Sequence, residues 1–196
     1  MDRWKEWAEG ERWQTLLSEV SSKLSVQRME HTLRVVNVAA KLAEQYKQDI
    51  HLASLAALFH DYAKELRKEE MKKILLDNGR QDIINLAVPI WHAPVGAYLI
   101  KERYPFGEHI FDAVFYHTTG RQHMTELEKI VFLADYIEPK RYFPKLYEIR
   151  KLTWVNLDQA MYVALNTIIE KLLNNHFIIA EITVEARNYF LTKRSV

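Results

Sequence analysis

His60 and Asp61 stand side by side directly behind the apolar run LAALF. Burying an imidazole beside a carboxylate is costly unless some group offsets the charge and satisfies the polar atoms. A metal ion does both at once. Adjacent helical residues project about 100° apart, so His60 and Asp61 can grip one cation from two sides. His31 shares a stripe with Val35, Val38 and Leu42, the inner side of its expected helix, and Asp135 falls inside the apolar run VFLADYI. Four inward polar groups of ligand type, spread over three helices, point to a metal centre. A donor set of nitrogen and oxygen without sulfur suits iron, manganese, cobalt or zinc, and spacing does not choose among them.

Further candidates surround this group. His92 precedes Pro94 at a helix start, and His117 ends the aromatic segment FDAVFYH. Each reads equally well as structural, the first as a capping side chain and the second as a cation at a helix C-terminus. Lys64 falls one helical turn beyond His60, so its ammonium can rise from the same face. Thr118-Thr119-Gly120-Arg121 combines hydroxyls, backbone amides and a guanidinium, a set suited to cradling phosphate oxygens. The plain alternative is a polar loop with a surface arginine. His51, His109, His123 and His176 have polar neighbours and are expected to be structural.

The elements that must position these groups read as helices. Residues 26–46 carry Met29, Leu33, Val36, Ala40 and Ala43 at steps of three and four, and residues 52–66 read as one largely buried helix. Pro94 suits the first turn of a helix running to about Arg103. Thr125 and Glu128 form a capping box ahead of Ile130, and Pro139 ends that helix. Helices are also expected over 156–173 and 184–191. Ile178–Val184 is β-prone but has no strand to pair with. Asn78-Gly79 marks a helix end. The class is all-α.

Composition bounds the function. The chain has 196 residues, 48% of them apolar, enough for one sizeable core. Lys and Arg number 27 against 26 Asp and Glu, a balance that argues against nonspecific nucleic-acid binding. The absence of cysteine excludes disulfides, zinc thiolates, iron–sulfur clusters and thiol nucleophiles. The charged opening MDRWKEWAEGERW has no signal-peptide core, and no apolar run reaches the roughly 18 residues of a membrane span. A cytoplasmic protein is expected, with no membrane partner. Trp4, Trp7 and Trp13 lie on an amphipathic pattern; residues 1–24 are expected as an N-terminal helix, either packed on its own domain or presenting a partner surface.

In order along the chain, HTLRVVNVAAKLA, ALFHDYAKEL, HAPVGAYL, YHTTGR, IVFLADYIEPKR and EARNYF resemble the HD-domain metal-dependent phosphohydrolases, and within them the YqeK family of symmetrical diadenosine tetraphosphate hydrolases. The resemblance runs from about residue 25 to 191 and makes 25–196 an HD-domain helical bundle. It implies iron, as one or two ions, at His31, His60, Asp61 and Asp135, with His92 and His117 completing a second metal site or contacting phosphate. It further implies a polyphosphate pocket from Lys64, Thr118, Thr119, Arg121 and Arg141, with Arg187 and Asn188 reaching the nucleotide. Asp61, Lys64 and Arg121 would be the catalytic residues. The substrate would be a dinucleoside polyphosphate and the product ADP; a homodimer stays open. Tyr62 stands where a small aliphatic residue is expected. The rival readings are another HD nucleotide phosphohydrolase, such as a nucleotidase or guanosine-tetraphosphate hydrolase, or a catalytically silent nucleotide-sensing module.

Overall fold

The structure, a computed structural model, describes residues 10–193. Among them the secondary structure is helical, with no strand: α1 (Glu11–Lys23), α2 (Val26–Gln45), α3 (Ile50–Phe59), α4 (Lys68–Asp77), α5 (Gln81–Ile84), α6 (His92–Arg103), α7 (Glu108–Phe115), α8 (Glu126–Ile137), α9 (Leu146–Thr153), α10 (Leu157–Asn174) and α11 (Glu181–Thr192). A short 3₁₀ turn, Val88–Ile90, leads into α6.

Local chemistry explains where these helices begin. The Asp49 carboxylate accepts from the amides of His51 and Leu52 and starts α3. Thr125 and Glu128 close the expected capping box on α8. The Asn156 side chain starts α10 by accepting from the Gln159 amide. Asn78 and Gly79 end α4, Gly79 taking the left-handed conformation that stops a helix.

Helix α3 is apolar all round, and Ala53 through Phe59 are all buried, so it runs through the centre of the bundle. It packs chiefly against α2, and α8 lies against both. The pairs α6 with α7 and α10 with α11 close the outside. Helix α1 adds Trp13, Leu16 and Val20 to the same core. Trp4 and Trp7 lie outside the described residues.

Two expectations are corrected. The helix expected over 52–66 ends at Phe59, with His60 as its cap. From there the chain bonds three residues back, Tyr62 to Phe59, Lys64 to Asp61 and Leu66 to Ala63, which coils it more tightly than an α-helix. The last helix starts at Glu181 rather than 184: Ala180 before it is extended, residues 178–180 form no strand, and the β-prone stretch has no ladder to join.

Candidate metal centre

Five segments deliver ligand-type side chains to one buried spot. His31 comes from the inner face of α2, and His60 and Asp61 from the tight turn after α3. His92 opens α6, His117 follows α7, and Asp135 lies in the last turn of α8. All four imidazoles aim Nε2 inward. His31 Nε2 is 3.1 Å from Asp135 Oδ1 and 3.7 Å from Asp61 Oδ2. His60 Nε2 is 3.4 Å from Asp61 Oδ2 and 3.9 Å from Asp135 Oδ1. Across the same carboxylate, His92 Nε2 is 3.0 Å from Asp61 Oδ1 and 3.1 Å from His117 Nε2. The donors thus form two halves, His31–His60–Asp135 and His92–His117, with one Asp61 oxygen turned toward each.

The tautomers decide whether this arrangement fits a cation. Nδ1 of His60, His92 and His117 lies 2.7–2.8 Å from the carbonyl oxygens of Ala57, Pro89 and Val114, each three residues upstream. A carbonyl can only accept, so Nδ1 carries the proton and Nε2 keeps its lone pair. His92 and His117 therefore point two lone pairs at each other and at the Asp61 carboxylate. On the other side, Nε2 of His31 and of His60 are buried without a hydrogen-bond partner. Converging lone pairs and anions repel unless a cation sits among them. The donor set fits divalent metal.

Electrostatics keep His92, His117, Asp61 and Asp135 in ligand-ready forms, whereas burial of His60 is outweighed by Asp61 and Asp135, which push its imidazole up. Burial pushes the His117 imidazole down to about 3, helped by His92 and His60. Burial lowers His92 as well. Burial opposes ionisation of Asp61, yet His60 and His92 outweigh it and hold its carboxyl well below the usual range. Asp135 is held down likewise, against burial, by His31, His60 and Arg141. The carboxylates stay anionic and these two imidazoles neutral.

Three cations ring the cluster. Arg28 donates to Asp61 Oδ2 at 3.0 Å, and Arg141 to Asp135 Oδ1 at 2.6 Å. Lys64 Nζ lies 3.2 Å from His92 Nε2 and 3.8 Å from Asp61 Oδ1. A cleft of about 800 Å³ opens beside Arg141, lined also by His117, Thr118 and Asp135 and walled by Phe132, Tyr136, Tyr142 and Phe143. The Thr118 hydroxyl is buried without a hydrogen-bond partner. Gly120, at φ +65°, completes the turn with its α-carbon backed against Ala186 and Leu165.

Other anticipated residues lie elsewhere. Thr119 faces a separate cleft of about 390 Å³ beside Arg80 and Glu185. The Arg121 fork is taken up by buried Glu128, at 2.6 and 2.8 Å, and by Asp112 at 3.0 Å. Arg187 bonds Asn166 and Asn188, and neither Arg187 nor Asn188 lines the larger cleft. Two residues at the site escaped the sequence reading. Arg28 sits one turn before His31, and buried Glu138 brings Oε1 to 3.6 Å from His31 Nδ1. Burial opposes the Glu138 charge, but Arg34 and the Lys140 amide hold its carboxyl below the ordinary value.

A helical bundle closing on a buried His/Asp metal site defines an HD-type metallohydrolase, and the family model of the HD domain matches residues 28–140. The chain is 46% identical over 144 residues to the symmetrical bis(5'-nucleosyl)-tetraphosphatase of Bacillus subtilis (strain 168), covering 72% of this chain and 77% of that protein. The enzyme of the same name from Halalkalibacterium halodurans is 38% identical, covering 89% and 95%. A crystal structure of an HD superfamily hydrolase described as involved in NAD metabolism, from Clostridium acetobutylicum, superposes with a TM-score of 0.88 at 31% identity, covering 93% and 98%. The chain belongs to the HD-domain family, in its branch of symmetrical bis(5'-nucleosyl)-tetraphosphatases.

Proposed function

We propose that this protein hydrolyses diadenosine tetraphosphate symmetrically, adding one water across the central anhydride and releasing two molecules of ADP. The observation that carries the reading is the two-sided Asp61 cluster, which reaches through His117 and Asp135 into a cleft that Arg141 also lines and aromatic rings wall. His31, His60, Asp135 and Asp61 Oδ2 would hold one ion, and His92, His117 and Asp61 Oδ1 a second; iron is the ion proposed. Divalent metal supplies Lewis acidity and a water of lowered pKa.

The chain's own residues do the rest. Lys64 and Arg141 offset the polyphosphate charge, which grows at the reacting centre as the anhydride bond breaks. The unpartnered Thr118 hydroxyl donates to a phosphate oxygen, and Tyr136 and Phe143, packed on each other at a tilt in the cleft wall, offer a purine an aromatic surface. Arg121 serves from behind, fixing the 117–121 turn to the start of α8 through Glu128. Arg187 and Asn188 lie off the larger cleft and have no contact with this purine site. The deciding measurement is product analysis with a panel of dinucleoside polyphosphates. ADP as sole product from the tetraphosphate is expected. AMP with ATP contradicts the symmetry, turnover of mononucleotides alone favours another HD phosphohydrolase, and no turnover with metal bound favours the silent module.

A further inference from the structure

Of the four inward imidazoles, three hold their Nδ1 proton on a main-chain carbonyl of their own turn. His31 is different. Its Nδ1 faces the Oε1 carboxylate oxygen of Glu138 at 3.6 Å, an ion-pair separation rather than a formed hydrogen bond. The facing carboxylate belongs to the segment just past α8, three residues beyond Asp135.

Glu138 is fixed from every side. Arg34, one turn beyond His31 on α2, donates Nε to Glu138 Oε2 at 2.7 Å, and the Lys140 amide donates to the same oxygen at 3.0 Å. Both donors take Oε2, which leaves Oε1 for His31. The main chain is held as well, since Arg150 donates to the carbonyls of Ile137 and Glu138 at 3.0 and 2.8 Å. Only 3% of the residue is exposed. A buried carboxylate clamped this way costs stability unless its remaining oxygen has a task.

The geometry points to Glu138 as the positioning residue of His31: its Oε1 faces the ring at Nδ1, favours the tautomer with the proton on Nδ1 and the lone pair on Nε2, and makes that imidazole a stronger donor than its three carbonyl-held counterparts. The inference rests on the metal reading and adds to it an inequality between the two halves of the cluster. The half containing His31 holds its ion with one carboxylate-backed histidine. The half of His92 and His117 has only carbonyl-backed ones. Carboxylate partners of ligating histidines orient the ring and raise its basicity, and their removal weakens metal binding by about 10–100-fold.

The test is titration of the full chain with manganous ion, followed by calorimetry and by electron paramagnetic resonance. Glu138→Gln keeps the shape and the Oε2 acceptor while removing the charge. It is expected to weaken one of the wild-type sites by about 10–100-fold and leave the other within about threefold. Arg34→Gln separates positioning from simple fastening of α2, because it loosens the clamp but leaves the carboxylate. It should weaken binding less than Glu138→Gln does; equal losses overturn the proposal. In a His31→Ala background, Glu138→Gln should have no further effect, and an undiminished effect there also overturns it. Wild-type affinity in Glu138→Gln at both sites sinks the positioning role while sparing the metal reading. Failure of the wild-type chain to bind manganous ion sinks both.

Discussion

At the scale of single residues, Asp61 is the joint of the cluster. Its two oxygens face different histidine pairs, 3.4 Å from His60 on one side and 3.0 Å from His92 on the other. Removing it should cost both ions, whereas removing Asp135, which of the four imidazoles pairs with only His31 and His60, should cost one. Elemental analysis of purified Asp61→Ala and Asp135→Ala checks this: unequal metal content is expected, with negligible turnover in the first. Equal and full content in both would reject the assignment. The two cations expected to act alike on substrate should also part. Lys64→Ala should keep its metal and fold and lose about 2–4 kcal/mol of transition-state stabilisation, read from kcat/KM. Arg121→Ala leaves buried Glu128 without its guanidinium partner, so about 3 kcal/mol of folding stability should go, seen as a lower denaturation midpoint. Sequence could not foresee that difference. Thr-Thr-Gly-Arg reads as a phosphate loop until Glu128, seven residues on, is seen to take the guanidinium. Arg28 and Glu138 were missed for the converse reason: a lone charge on a helix face or just past a helix end looks solvated until the fold buries what it touches.

Elements show why the HD turn holds its shape. Three ties reach it from the N-terminal side. Tyr62 donates to Glu19 of α1 at 2.7 Å, Ser25 donates its amide and hydroxyl to Glu65 at 2.6 Å each, and Arg28 holds Asp61. Tyr104 also donates to Glu19, and Arg103 pairs with it at 2.8 Å. Tyr62, the one departure from the expected motif, thus acquires a reason: it anchors a helix lying outside the matched domain. Burial opposes the Glu19 charge, but Tyr104, Tyr62 and Arg103 outweigh it and lower its pKa. A depressed folded-state pKa means the tie is at full strength above the ordinary value of 4.5 and fades as pH falls below it. Glu19→Gln should therefore be less stable than the parent at neutral pH by about 1–3 kcal/mol. The gap should narrow progressively below pH 4.5. Denaturant melts at several pH values measure it, and a gap independent of pH would reject the tie.

For the molecule as a whole, the all-helical bundle and four of the side chains that meet in its buried His/Asp cluster could be read from local pattern. His31 sits on an apolar stripe, His60-Asp61 trails an apolar run, and Asp135 interrupts another. These signals lie within a few turns of one chain, as does the Thr125–Glu128 capping box. What pattern could not supply was the path of the chain after Phe59, since an α-helix and a tighter coil share nearly the same apolar spacing over six residues. Nor could it show that His92 and His117 meet, 25 residues apart, at 3.1 Å. That contact is made by packing α6 against α7, and no periodicity encodes it.

The carbonyl three residues behind each of His60, His92 and His117 has one more consequence. The direction of every such ligand is decided inside its own turn, by atoms separated by a single loop of backbone. Long-range packing has only to bring the turns near one another. Direction is therefore a local inheritance and distance a global one, and a fluctuation that spreads the helices leaves the ligands apart but still aimed. An arriving cation would therefore meet nitrogens that their own turns have already aimed, with no side chain left to reorient.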